Sequence, residues 1–383
     1  MVEKAQIRSR RGQFVEPASS SGGVAVLALG TAVPDRRMDQ ETIYEQVLAP
    51  LLDGNRYARA IFRHAGVGWR HLAVEETYYR RERTTQARNT RYLADALPLG
   101  ATAIQRCLQS GGWQPRDVDD FIVASCTGID TPGLDLRLAA QLDMRSDVRR
   151  ATVLGMGCYA ALPSLLRAHE AARGGRRALV LAVELCSLHF QPDDASTQNV
   201  VSAALFSDGA AAIFVGPDPM PAQHPARPRP RGNGQKRAMG PRLLDFETLC
   251  DYKTFEQMGF HLTDHGFQMR LGARVPDVLA ANVNGFVQRL LQRNNLQQTE
   301  VDVWAIHPGS AKILDQMETQ LALDPRALNP SRAVLHNFGN MSSPTILFVL
   351  EEVRRQGQAM PGAYGVLLGF GPGLTLEGAL VQW

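Results

Sequence analysis

Three side chains in this sequence have the types that move acyl groups: Cys158, His307 and Asn340. Cys158 stands in Arg150-Ala-Thr-Val-Leu-Gly-Met-Gly-Cys158-Tyr-Ala-Ala-Leu-Pro. There the apolar run Thr152–Leu154 reads as a buried strand, Gly155 and Gly157 as a tight turn, and Tyr159–Arg173 as a helix. A thiol at a helix start meets unpaired backbone N–H groups and the positive end of the helix dipole, which favour its ionised form. The thiolate is the nucleophile. On this stretch alone, Cys158 reads equally well as a small buried hydrophobe. His307 closes an apolar run in Trp304-Ala-Ile-His-Pro-Gly309, as a base, a donor or a structural strand end. Asn340, in Asn337-Phe-Gly-Asn-Met-Ser342, is a side-chain donor or a helix N-cap.

A thiolate with His and Asn supports two chemistries. In one, His is the base of a cysteine hydrolase and Asn orients it. In the other, Cys holds an acyl group while His and Asn donate hydrogen bonds to the oxyanion of a decarboxylating thioester. The local signature of the known cysteine proteases is absent around Cys158, which favours carbon–carbon bond formation.

The elements that must position these residues come in two related sets. Arg116–Ala124 resembles Thr299–His307, each preceded by an amphipathic helix (Leu93–Gly111 and Val275–Asn294), and Val118 matches Val301 at an offset of 183. Arg150–Cys158 resembles Arg332–Asn340 at an offset of 182. The apolar strand Ala178–Ser187 answers Tyr364–Gly373, and Asp208–Val215 answers Glu377–Trp383. Four elements in one order at nearly constant offset imply a duplicated α/β unit. Buried strands alternating with helices imply mixed, mostly parallel sheets in an α-β-α-β-α layered arrangement. Pseudo-symmetry then brings Cys158 and Asn340 face to face, each opening a helix after a Gly turn, with His307 beside the Cys126 loop. The organisation reads as a tail (1–22), a half carrying Cys158 (23–216), a Pro- and Arg-rich connector (217–241) and a half carrying His307 and Asn340 (242–383). A further helix is expected over Gln40–Leu52, followed by a basic cluster of Arg56, Arg59, Arg63 and His64. This cluster is a solvated face or a landing site for the phosphates of a nucleotide-bearing substrate.

Composition narrows the class. At 383 residues, 44% hydrophobic and 21% charged with net charge +3, the chain buries a large core and lacks the basic face of a nucleic-acid binder. Its five cysteines (107, 126, 158, 186 and 250) are odd in number and contain no CxxC pair. They argue for reduced thiols in a cytoplasm, against a disulfide framework and against a metal site. No apolar run approaches the roughly 18 residues of a membrane span.

The motifs Gly155-Met-Gly-Cys158, Trp304-Ala-Ile-His-Pro-Gly309, Phe338-Gly-Asn-Met-Ser342 and Gly369-Phe-Gly-Pro-Gly373 together resemble the thiolase-fold condensing enzymes. They resemble most the type III polyketide synthases related to chalcone synthase, over Val24–Trp383 apart from the connector. The first three motifs are partly shared with β-ketoacyl-ACP synthase III. A single condensation of that kind is the alternative reading.

The resemblance implies roles residue by residue. Cys158 carries the starter acyl group. His307 helps keep Cys158 ionised and, with Asn340, polarises the malonyl thioester. Phe206 guards the CoA-tunnel mouth. Ser342, Gly371, Pro372 and Gly373 shape the cavity, and Thr131 reaches a partner's cavity in a homodimer. Arg59 and Arg63 fall near the family's CoA-phosphate-binding basic residues. Met269 replaces a gatekeeping Phe, Phe260 stands where plant enzymes have a small residue, and Cys126 and Cys186 match cavity or acyl-tunnel positions. These departures resemble bacterial alkylpyrone and alkylresorcinol synthases. The resemblance therefore implies an acyl-CoA starter (or one delivered by an acyl carrier protein), malonyl-CoA extension, and an α-pyrone or resorcinol-type product. It implies no metal and no organic cofactor.

Overall fold

The computed structural model describes residues 23–50, 57–81, 83–218 and 240–383. The tail 1–22, Arg56 and nearly all of the connector lie outside the described residues.

Strands of both halves share one nine-stranded sheet. The first half contributes, in spatial order, Val24–Ala32, Asp208–Pro217, Ala178–Leu185, Asp120–Ala124 and Arg149–Val153. The second contributes Arg242–Cys250, Thr375–Gln382, Tyr364–Gly371 and Val301–Ile306. The two sets meet where Val24 and Ala25 pair with Leu243 and Arg242. Equivalent neighbours keep equivalent polarity. Asp120–Ala124 runs parallel to Ala178–Leu185 as Val301–Ile306 does to Tyr364–Gly371, and Ala178–Leu185 runs antiparallel to Asp208–Pro217 as Tyr364–Gly371 does to Thr375–Gln382.

Three sequence expectations are corrected here. The sheet is mixed, but antiparallel neighbours outnumber parallel ones. The segment matched to the Cys158 strand is the helix Asn329–Phe338, so of the four matched elements three are strands in both halves and this one is not. The run around Thr152–Leu154 is not buried: Arg149–Val153 is the edge strand, paired on one side only, and Leu154 is 47% exposed.

Four long helices complete the layers. Thr85–Ser110 covers the outer face of the first set of strands and Val275–Arg293 that of the second. The former starts eight residues before Leu93, because its first turns are polar and Thr84 caps it by accepting from the Ala87 N–H at 3.2 Å. Ala161–Arg173 packs on Ala178–Leu185 and Asp208–Pro217 and also touches Thr375–Gln382. Thr345–Gln356 packs on Val301–Ile306 and on Val24–Ala32 and Asp208–Pro217. Contact with both halves makes these two helices the central layer, which yields the α-β-α-β-α order. Ile346, Leu347, Phe348, Val349, Leu350 and Val353 are all buried, as a helix enclosed on both sides requires, and each is worth about 1.5–3 kcal/mol of transfer free energy. Gln40 opens a helix only to Ile43, which widens into a π-turn over Tyr44–Leu48.

Candidate active site

Cys158 lies in the turn Gly157–Tyr159, just before the central helix Ala161–Arg173. Gly155 and Gly157 have φ of +74° and +64°, the left-handed region in which glycine is unstrained. A Cβ on Gly157 would stand 2.7 Å from Pro372 Cδ, and one on Gly371 3.4 Å from the Cys158 N. The Gly371–Pro372 backbone therefore presses directly on the cysteine turn. The thiol is 8% exposed. Burial raises it to about 11, and hydrogen bonds with Ser342 and Asn340 pull the other way without prevailing. Desolvation thus outweighs the helix end at Cys158, contrary to the lowering expected from position alone.

His307 follows the strand Val301–Ile306, and its N–H donates to Leu368 O at 2.8 Å. Its ring stands edge-on to Phe370 at 5.7 Å and is 1% exposed. Neither Nδ1 nor Nε2 has a hydrogen-bond partner among the described residues. Burial alone pushes its pKa down to about 3, so the free imidazole is neutral. Asn340 precedes the other central helix by five residues and is not its N-cap. Its Oδ1 accepts from the Ser342 N–H at 2.8 Å and its Nδ2 donates to Gly309 O at 3.2 Å, which leaves the second amide hydrogen for Cys158 or a ligand beside it.

Cys158, His307 and Asn340 line one cavity of about 690 Å³, together with Phe206, Phe260, Met269 and Pro372. The sequence-level convergence is therefore met. Phe260 and Met269 come from a hairpin that sequence periodicity had not marked, Met258–Thr263 with Gly266–Leu271. Cys126 and Cys186 do not line this cavity. They line a smaller pocket of about 60 Å³, walled from the first by Phe206, Phe260 and Met269. Ser342 is 1% exposed, with its hydroxyl 3.6 Å from Cys126 Sγ. Gly373 lines a third cavity of about 350 Å³ beyond Pro372 and Phe260.

Thr131 is exposed and outside its own chain's cavity. Arg59 and Arg63 are not brought to the cavity either. Arg59 pairs with Glu41 and Glu45 at 3.2 and 2.9 Å and Arg63 with Glu41 at 3.8 Å, all on the surface, while Ile61, His64 and Ala65 of the same helix line the cavity with Lys312. The helical period separates these two faces.

One polar centre escaped sequence reasoning. Glu184 is fully buried in the strand Ala178–Leu185. Its carboxylate accepts from Ser125 Oγ at 3.2 Å, Cys126 N at 2.9 Å, Thr127 Oγ1 at 2.7 Å and Ser343 Oγ at 2.7 Å. It thereby ties the Cys126 loop to the segment after Asn340. Its pKa is raised by burial, against those hydrogen bonds. The available signal was a lone carboxylate inside an unbroken apolar strand.

Two related sets of strands around two central helices, with a buried thiol, an imidazole unpartnered among the described residues and a carboxamide lining one cavity, form the arrangement of the thiolase-fold condensing enzymes. The chain matches the family model "chalcone and stilbene synthases" through its N-terminal domain at residues 74–219 and its C-terminal domain at 252–383. It is 33% identical to 1,3,6,8-tetrahydroxynaphthalene synthase of Streptomyces peucetius subsp. caesius, over 94% of this chain and 93% of that one. It is 30% identical to 3,5-dihydroxyphenylacetyl-CoA synthase of Streptomyces toyocaensis, over 94% and 90%. The crystal structure of 1,3,6,8-tetrahydroxynaphthalene synthase from Streptomyces coelicolor A3(2) superposes with a TM-score of 0.84 at 27% identity, covering 94% of this chain and 99% of that one. The chain belongs to the chalcone and stilbene synthase family. It is a type III polyketide synthase, a decarboxylating acyltransferase.

Proposed function

We propose that the cavity loads an acyl starter on Cys158 and extends it with malonyl-CoA. The observation that carries this reading is His307, whose two buried ring nitrogens lack protein partners beside Cys158 and Asn340. Cys158 Sγ passes its proton to His307 and attacks the starter thioester carbonyl, and the CoA thiolate leaves with that proton. Malonyl-CoA then enters, its thioester oxygen held by His307 Nε2–H and the free N–H of Asn340. Carbon dioxide leaves and the electron pair moves onto that oxygen. The resulting carbon attacks the acyl-Cys158 carbonyl and expels the Cys158 thiolate. Phe206 keeps water from the reacting carboxylate.

The starter is an alkyl acyl group, and its tail points through the Phe260–Met269 wall toward the pocket of Cys126 and Cys186. The products are α-pyrones or resorcinol-type rings. The reaction as written uses no metal or organic cofactor. The working unit is a homodimer joined along the exposed edge strand Arg149–Val153; Leu154 after it, and Leu136 and Ile129 of the preceding helix and loop, are 47, 42 and 58% exposed. In such a dimer Thr131 faces the partner. Among the described residues no helix is long and apolar enough to cross a membrane.

Hexanoyl- to lauroyl-CoA, and the same acyl groups on carrier protein, are incubated with malonyl-CoA and the products read by mass. Cyclic triketides and tetraketides that vanish in Cys158→Ala are expected. Unchanged turnover in that variant sinks the reading.

A further inference from the structure

Arg70, in the short strand Trp69–His71, is 3% exposed and forms no hydrogen bond to any carboxylate. Its Nη1 donates to Ala203 O at 2.5 Å and to Phe206 O at 3.0 Å, whereas Nε and Nη2 find no acceptor among the described residues. Asp208, the carboxylate whose charge acts on Arg70, is already occupied. It accepts from Ala73 N at 2.6 Å, from Ser187 N at 2.8 Å and from Ser187 Oγ at 2.5 Å. Burial lowers Arg70 to about 10, so it remains a cation at neutral pH. An unpaired buried cation is costly to retain.

What Arg70 touches explains the retention. The helix Thr197–Leu205 ends at Phe206, its C-cap. Ala203 O belongs to the last turn, whose carbonyls lack helical donors and form the negative end of the dipole. The guanidinium caps that end. The chain beyond the cap is clamped to Asn340. Asn340 N donates to Leu205 O at 2.9 Å, Ser207 N donates to Asn340 O at 2.9 Å, and Phe206 and Asn340 form an isolated parallel bridge. Ser207 Oγ donates to His71 O at 2.9 Å and accepts from His71 N at 3.1 Å, which fastens the same segment to the strand of Arg70.

We propose that Arg70 is a positioning residue for the decarboxylative step, acting through the Phe206 backbone to set the spacing between the Phe206 ring and the Asn340 amide. The assignment rests on the roles given above to Phe206 and Asn340. Arg70 lines the smaller pocket of Cys126 and Cys186 and touches neither Cys158 nor the cavity that holds it. Attack of Cys158 on the starter carbonyl therefore does not depend on Arg70, whereas capture of the carbanion that malonyl decarboxylation forms does. When the spacing is lost, the carbon–carboxylate bond still breaks and carbon dioxide still leaves. The enolate carbon then takes a proton instead of the acyl carbon, and acetyl-CoA departs.

The test compares Arg70→Met and Arg70→Lys with wild type, using hexanoyl-CoA and malonyl-CoA. Intact-protein mass gives the acylation of Cys158, and released carbon dioxide is counted against new carbon–carbon bonds. Arg70→Met should acylate fully, lose 10- to 100-fold in kcat for malonyl-CoA with KM within threefold, and release carbon dioxide in excess. Arg70→Lys, which keeps the cation at the helix end, should recover at least part of the kcat. In a Phe206→Ala background Arg70→Met should cost little more, because both act through one element. Wild-type coupling in Arg70→Met, a loss of loading equal to the loss of kcat, or full additivity with Phe206→Ala overturns the assignment. Failure of the underlying reading shows separately, as product formed by Cys158→Ala.

Discussion

Phe260 and Met269 stand directly opposite each other across the hairpin that closes the active-site cavity. Cross-strand partners project on one face and pack as a unit. The two departures from the plant pattern are thus one feature, a flexible Met beside a bulky Phe. Both line the wall between the Cys158 cavity and the pocket of Cys126 and Cys186, and Phe260 also lines the cavity beyond Pro372.

Phe260→Ala should join these spaces and raise kcat/KM for lauroyl-CoA relative to hexanoyl-CoA by tenfold or more. Met269→Phe should shift the ratio the other way. Because the pair is in contact, the double variant should depart from additivity, read as product masses over a starter series. An unchanged chain-length profile in both variants would remove the pair as the selector.

His307→Gln tests how the nucleophile is made. Burial holds the Cys158 thiol high and the His307 imidazole low, so neither ion is stable alone and the charges must form together. With Gln as partner the thiolate forms only as pH approaches the raised thiol value. Iodoacetamide should alkylate His307→Gln at least tenfold more slowly than wild type at pH 7, with its pH profile displaced upward. Equal rates would detach His307 from the thiol.

The same histidine carries a stability signature. Its folded pKa of about 3 lies below its unfolded value of about 6.5, so the unfolded chain binds the extra proton. Stability from the neutral ring is complete above about pH 6.5 and is lost as pH falls toward 3. Asp208, raised by burial to about 6, and Glu377, raised to about 7, change in the opposite sense over part of this range. The clean measurement is the difference in unfolding free energy between wild type and His307→Gln. That difference should move against wild type by about 3 kcal/mol between pH 7 and pH 4.

Glu184→Gln exchanges a pure acceptor for a group with an N–H₂ end that faces the donors Ser125, Cys126, Thr127 and Ser343. At least one donor then loses its partner in a fully buried place. A loss of about 2–4 kcal/mol is expected, seen as a lower urea midpoint, together with faster exchange of the Cys126 amide. A wild-type midpoint would show that the carboxylate charge is dispensable.

Much of this enzyme was legible in the chain. The Gly-Met-Gly-Cys turn, the His that ends an apolar strand and the Asn after Phe-Gly all reach one cavity, because side-chain type, spacing and the internal repeat are local or periodic properties. The repeat also placed both central helices. It failed where tertiary context overrode likeness: Arg332–Asn340 resembles a strand segment yet is mostly helix, and Arg149–Val153 is an exposed edge. Position at a helix start suggested an acidic thiol. Only the assembled fold decided that burial would dominate at Cys158, since desolvation depends on what the rest of the chain packs around the sulfur. The wall formed by Phe260 and Met269, the Glu184 hub and the cap that Arg70 places behind Phe206 all join residues far apart in sequence. Sequence determined the candidate reacting groups; tertiary structure alone decided the burial that shifts Cys158 and His307, their enclosure and the backbone clamps beside them.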